Sequence, residues 1–263
     1  MKKYEFTGET KQISAINGTV TLHRIKASVA FGNIKSGDIG GWIEREENLS
    51  HDGDAWVSDD AWIFGNARVS GDVRASGNVR IFENARVSGD VRISDNAWVH
   101  GNAWIHGNVR IYGNAWVSGD VRASGNVRIF GNARVSGDVR ASGNVRIFEN
   151  ARVSGDVRIS DNAWVHGNAW IHGNVRIYGN AWVYRNKHVL LVGPIGSRND
   201  YTTFFRNRNK GISVSCGCFL GEIDEFIEKV IKTHGENKHA SVYRAAAELA
   251  KLQIDLSEME EEE

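Results

Sequence analysis

Residues 55–72 read AWVSDD AWIFGN ARVSGD, and the same six-residue frame runs on without a gap to AWVYRN at 181–186. That makes 22 consecutive hexads. Positions 1 and 3 are Ala, Val or Ile, position 2 is always Arg or Trp, and positions 5 and 6 are mostly Gly followed by Asn or Asp. In-out-in alternation over three residues is a short strand with one outward side chain. Gly, Asn and Asp tolerate left-handed backbone angles, so the second half of each hexad reads as a corner. A strand and a corner in every hexad describe a solenoid, whose coils bury their apolar positions only against their neighbours.

Working outward, the composition fits a folded chain. Of 263 residues, 41% are hydrophobic and 24% charged, which excludes a disordered polymer. Lys plus Arg and Asp plus Glu are both 32, so no global basic excess points to nucleic acid. Two cysteines exclude a disulfide framework. The opening MKKYEFTGETKQIS has no apolar run behind its lysines, and no stretch approaches the length of a membrane span. A cytoplasmic location and no membrane partner are the expectation.

The hexads resemble those of the hexapeptide-repeat left-handed β-helix, the fold of the hexapeptide transferases. That resemblance covers half the chain and implies three hexads per triangular coil. About seven coils and a rod of roughly 35 Å follow at the usual strand spacing. The fold class expected is therefore an all-β solenoid, a left-handed parallel β-helix, with flanking modules. Residues 1–54 read as two or three strands covering the open edge of the first coil. MKKYEFTGETKQI, TVTLHRIKA and the stretch that begins GNIKSGDIGG resemble the front end of bacterial and prophage repeat proteins. The segments GPIGSRNDYTTFFRN and GISVSCGCFLGEIDEFIEKVIKTHG resemble a module found behind phage repeat arrays, and residues 187–263 read as a small α+β unit. A strand over 211–219 places Ile212, Val214, Cys216 and Cys218 on one face. A helix over 222–234 carries Ile223, Phe226, Ile227, Val230 and Ile231 at helical spacing, and Gly235 stops it. A second helix over about 240–256 carries Val242, Ala245, Ala246, Leu249 and Leu252. The acidic run EMEEEE at 258–263 reads as a solvated end.

Residues 63–117 recur unchanged as 129–183, an offset of eleven hexads. Eleven is not a multiple of three, so the second copy is turned by two faces. A face-specific active site cannot be doubled that way, which favours a body whose length, stiffness or surface matters.

Outward position 2 carries 14 arginines and eight tryptophans. With three hexads per coil, Arg74, Arg92, Arg110, Arg128 and Arg146 stack on one face, and Arg122, Arg140, Arg158 and Arg176 on another. Such ladders read either as a solvated face or as a surface for an anionic polymer, a nucleotide or nucleic acid. His100, His106, His166 and His172 stand at corner position 4. Hexapeptide acyltransferases use a histidine as general base with a loop that leaves the coil. Here all 22 hexads follow one another without a loop. Cys216 and Cys218 with His234 and His239 have poor zinc spacing, and core cysteines are the plainer reading. No metal and no cofactor are expected. In the C-terminal module, Ser197, Arg198, Asn199, Asp200, Arg206 and Arg208 are the candidate contact residues, since recognition gathers on loops held by rigid scaffolds. The sequence reads best as a non-catalytic scaffold or binding protein. It expects a protein partner or self-association through a solenoid face or the C-terminal module, with a polyanion binder and a hexapeptide-type acyl or nucleotidyl transferase as the alternatives.

Overall fold

The computed structural model describes residues 2–15, 18–119 and 121–257. It is a parallel β-solenoid of about eight turns, with three hexads to each regular turn, closed by modules at both ends. The hexads produce this directly. Each contributes a strand of two or three residues, Arg110 N–H donates to Val127 O at 2.9 Å, and Val91, Arg92 and Ile93 pair with Val109, Arg110 and Ile111. The strands stack into three lateral sheets. The Arg74 face runs from Trp56 to Trp182, the Arg122 face from Arg68 to Arg176, and the Trp98 face from Trp62 to Trp170. Positions 1 and 3 line the axis, and Val91, Ile111 and Ile147 are fully buried there. A charge introduced at Val91 would lose its hydration without gaining a partner, costing several kcal/mol.

The turn beyond the expected seven comes from residues ahead of the hexads. Strand Ile39–Ile43 pairs in parallel with the first hexad strand on the Trp98 face, Trp42 beside Trp62, and Leu49 bridges Val69. This entry coil is irregular, since the step from Trp42 to Trp62 is two positions longer than the regular step from Arg92 to Arg110. Gly40 and Gly41 permit it, because a Cβ on either would lie 2.6 Å from Trp56 or from Ala61 O. Strands Tyr4–Ala15 and Gly18–Ala27 then extend the same sheet antiparallel. Tyr4, Leu22 and Ile25 are buried at this end, and the Tyr4 hydroxyl donates to Leu49 O at 2.8 Å.

At the other end, strands Val189–Ile195, Asp200–Arg206, Ile212–Cys216 and Phe219–Glu222 form one antiparallel sheet. Alternation along the second of these decides how it sits. Phe205 joins the solenoid core, while Phe204 joins a second core with the two helices. The sheet is therefore a lid between the last coil and helices α1 (Ile223–His234) and α2 (Lys238–Gln253).

Three local expectations change. The strand ends at Cys216, so Cys218 lies in the turn rather than on the apolar row. Helix α2 buries Ala240, Tyr243, Ala246, Ala247 and Ala250, leaving Leu249 48% and Leu252 86% exposed. Alanines allow the helix axis to approach its neighbours closely, and leucines at those positions would hold it off. Helix α1 packs through Ile223, Phe226 and Val230, with Ile227 half-buried and Ile231 exposed. The acidic run 258–263 lies outside the described residues.

Candidate anion-binding face

Position 2 of every hexad must point outward, because positions 1 and 3 are committed to the axis. Register then sets what stacks on what. On the Arg74 face, Arg74 pairs with Arg92, Arg92 with Arg110, Arg110 with Arg128, Arg128 with Arg146, Arg146 with Trp164 and Trp164 with Trp182. Arg122, Arg140, Arg158 and Arg176 follow one another on the next face. The identical copies are indeed turned: Trp98 belongs to one sheet and Trp164 to another.

The arginines of the Arg74 face differ in their surroundings. Arg74 lies under the N-terminal loop, close to Asp54 at Gly32. The exposed Arg92 has Asp90 at 4.0 Å. Arg110, Arg128 and Arg146 have no ion-pair partner among the described residues. A groove of about 200 Å³ is lined by Asp90, Arg92, Asn108, Arg110, Asn126 and Arg128. Its border is an amide ladder, in which Asn126 Nδ2 donates to Asn144 Oδ1 at 2.9 Å and Asn144 to Asn162 at 3.0 Å.

The C-terminal lid adds to this same face. Ala181 bridges Asn207, and Arg208 N–H donates to Asn180 O at 3.1 Å. Arg208 then lies over the Trp164 ring at 4.2 Å, donating also to Asn162 O at 3.2 Å, while Arg146 lies over the same ring at 4.4 Å. Burial, and secondarily the nearby Arg146 charge, lowers the Arg208 pKa from its ordinary value. Arg206 packs over Trp182 and Tyr184 at 5.8 and 5.1 Å and is only 4% exposed.

The six candidate residues of the lid thus fall into two groups. Arg206 and Arg208 continue the Arg74 face. Ser197, Arg198 and Asn199 occupy the exposed turn before Asp200, where Arg198 reaches Cys218 at 4.0 Å and Asp200 pairs with Arg176 at 3.5 Å. Asp200 therefore offsets the last charge of the neighbouring ladder. Asn207, outside the candidate set, holds the arrangement together. Fully buried, it donates to Ser213 Oγ and Glu222 Oε1 at 2.9 and 2.7 Å and accepts from Asn209 and Gly211 N–H at 3.0 Å. The Asn-Arg-Asn-Lys-Gly run signals a tight turn in the sequence, but its buried anchor depends on Glu222, outside that turn.

The corner histidines are packed side chains. His100 stacks on Phe82 at 4.8 Å beside Glu83, and His166 on Phe148 at 4.6 Å beside Glu149. Burial lowers the pKa of both, with the glutamates opposing it. The Trp182 indole donates to His166 Nε2, which fixes that ring as neutral. His106 and His172 lie beside Trp104 and Trp170. Among the described residues, no group of three or more His, Cys, Asp or Glu side chains is placed to hold a metal ion.

Comparison with known families agrees with a β-solenoid. Residues 109–190, less than a third of the chain, match the bactofilin family, described as polymer-forming cytoskeletal, and residues 85–101 match the YdcK β-solenoid repeat. No curated protein matches the chain.

Proposed function

We propose that the chain is a non-catalytic scaffold of fixed length that associates with protein partners, itself included, through its lateral faces. The observation that carries this reading is the closure of both ends. An unfinished coil exposes a row of unpaired N–H and C=O groups that can template another strand. Here the first coil is overlaid by the N-terminal strands and the last by the sheet that carries Phe205. The similarity to a polymer-forming family supports self-association, and the closed ends direct it sideways. The hexad pattern supports a left-handed coil, and the flanking segments support a prophage-type origin. Two free cysteines fit a reducing, cytoplasmic setting. The test is light scattering with electron microscopy across protein concentrations. Monomers or closed side-by-side oligomers are expected, and filaments growing end to end would overturn the reading.

A second reading, binding of an external polyanion, is favoured by the Arg208 contact that prolongs the arginine ladder. Retention on heparin falling steeply with salt would support it, because each neutralised charge adds to the salt dependence. Salt-independent retention would sink it.

A further inference from the structure

Trp98, Trp104, Trp116 and Trp170 are exposed, and three of them, Trp98, Trp116 and Trp170, belong to one lateral sheet. Other outward rings carry guanidiniums: Arg80 lies over Trp62 at 3.4 Å, Arg146 and Arg208 over Trp164, and Arg206 over Trp182. An indole face attracts a guanidinium, and this chain makes that pairing repeatedly. On the Trp98 face the partners stand apart. Trp98 and Trp116 stack on each other with ring centroids 5.1 Å apart. Arg134 and Arg152 are exposed, and among the described residues they reach neither a ring nor a carboxylate.

Register sets the order along this face as Arg80, Trp98, Trp116, Arg134, Arg152, Trp170. Read backwards, arginine and tryptophan exchange at every place. A two-fold axis lying along the strands, midway between the rungs of Trp116 and Arg134, brings two rods face to face and antiparallel. Trp116 then meets the partner's Arg134, Trp98 the partner's Arg152 and Trp170 the partner's Arg80, each twice by symmetry. The outermost pair is the weakest, because Arg80 is already held over Trp62 and donates to Asp60 O at 2.7 Å. A parallel arrangement would instead set arginine against arginine.

The borders of the face leave room for this. One is the amide ladder, with Asn96 donating to Asn114 and Asn114 to Asn132, both at 3.1 Å. The other carries the small side chains of Ser136 and Ser154. The other two faces are less suited. On the Arg74 face the run Arg128, Arg146, Trp164, Trp182 has the same symmetry, but its rings are already covered. The Arg122 face has only Trp104 among its arginines, so reversal sets like charges together.

We propose that two copies of this chain pair antiparallel through the Trp98 face, Trp98 and Trp116 of each seated on Arg152 and Arg134 of the other. Resting on the lateral self-association proposed above, this pairing gives it a face and a register. Rungs about 4.8 Å apart on a face about 17 Å wide cover roughly 500 Å² per partner, which belongs to weak, exchanging dimers rather than permanent ones.

The test is sedimentation velocity on the full chain, up to several hundred micromolar. A monomer–dimer equilibrium is expected. One variant carries Trp98→Ala with Trp116→Ala, the other Arg134→Gln with Arg152→Gln, and each alone should dimerise at least about 30-fold more weakly than the native chain. Mixed together, one variant supplies the arginines and the other the tryptophans, so two of the four central contacts return. The mixed pair should associate at least about 5-fold more tightly than either variant alone. Arg140→Gln with Arg158→Gln on the neighbouring face should leave the native equilibrium unchanged. If removing the tryptophans disturbs the coils in circular dichroism, the arginine variant alone decides, since it leaves every ring in place. A native chain that stays monomeric throughout would overturn the pairing. A dimer indifferent to both variants would overturn this face and leave lateral association standing, whereas filaments growing end to end would overturn both. Weakening without recovery in the mixture would overturn the antiparallel register.

Discussion

The carboxylate of Glu149 accepts a hydrogen bond from the backbone N–H of Gly167, one coil further along, at 2.6 Å. Glu83 does the same for Gly101, Asp59 for Gly77, Asp95 for Gly113 and Asp161 for Gly179. Among the described residues, these five are the non-glycine residues with positive φ at the corners of the repeat. Left-handed backbone costs an L-residue about 1–2 kcal/mol, and a charge-assisted hydrogen bond offsets about as much. Acidic residues thus replace glycine at corners where the side chain ties one coil to the next.

Glu149→Ala keeps the strained backbone and loses the bond, so it should cost about 2 kcal/mol in urea unfolding. Glu149→Gly relieves the strain and should cost clearly less. Equal losses would show that the inter-coil bond does not offset the corner's conformation.

Arg206 and Arg198 should separate cleanly. Arg206→Ala removes a buried guanidinium, bonded to the Ser257 carbonyl and packed on two aromatic rings, and should destabilise by about 2–3 kcal/mol. Arg198 is exposed on its turn, and Arg198→Ala should stay within about 0.5 kcal/mol. Thermal melts of the two single variants provide the check, and similar shifts would contradict these placements.

His188 gives the fold a pH dependence. It is fully buried, its Nδ1 accepts the Tyr184 N–H at 3.3 Å, and burial, aided by the Arg206 charge, lowers its pKa to about 4. The unfolded chain takes up this proton near 6.5 while the folded one does not, so stability is full above 6.5 and falls as pH drops toward about 4. The loss over that window is about 3 kcal/mol, and the lowered pKa values of His100 and His166 act in the same direction. His188→Gln should flatten the slope of stability against pH. An unchanged slope would remove His188 from the account.

Deleting residues 103–120 removes one whole coil and keeps every strand in register with its neighbour's neighbour. That variant should fold, with a melting temperature within several degrees of the native chain. Deleting 103–117 instead removes two and a half hexads, puts axial positions out of phase and should abolish cooperative unfolding. Equal cooperativity in the two would show that hexad phase does not govern this architecture.

The solenoid was readable because its information is local and repeated. Position 2 of each hexad points outward whatever surrounds it, so the ladder from Arg74 to Arg146 follows from counting. The entry coil was not readable: Gly40, Gly41 and Leu49 carry no hexad frame, and their wider spacing is set by what Trp42 and Trp56 pack against. Helix α2 misled through Leu249 and Leu252, because hydrophobicity ranks leucine above alanine while close packing against the sheet selects alanine. The meeting of Arg208 with Trp164 was out of reach for another reason. It joins positions far apart in sequence through a turn whose geometry is fixed by the buried Asn207.

The exact duplication of 63–117 also makes the rod heritable in steps. Unequal recombination between the copies adds or removes eleven hexads, which at three hexads per coil is 11/3, or three and two-thirds coils. One such event changes the rod by about 18 Å at the usual strand spacing and turns one cap by two-thirds of a revolution relative to the other. Three successive events restore the original angle between the caps. Lineages that share this gene would therefore differ in discrete lengths, and any partner touching both caps at once would recognise only every third one.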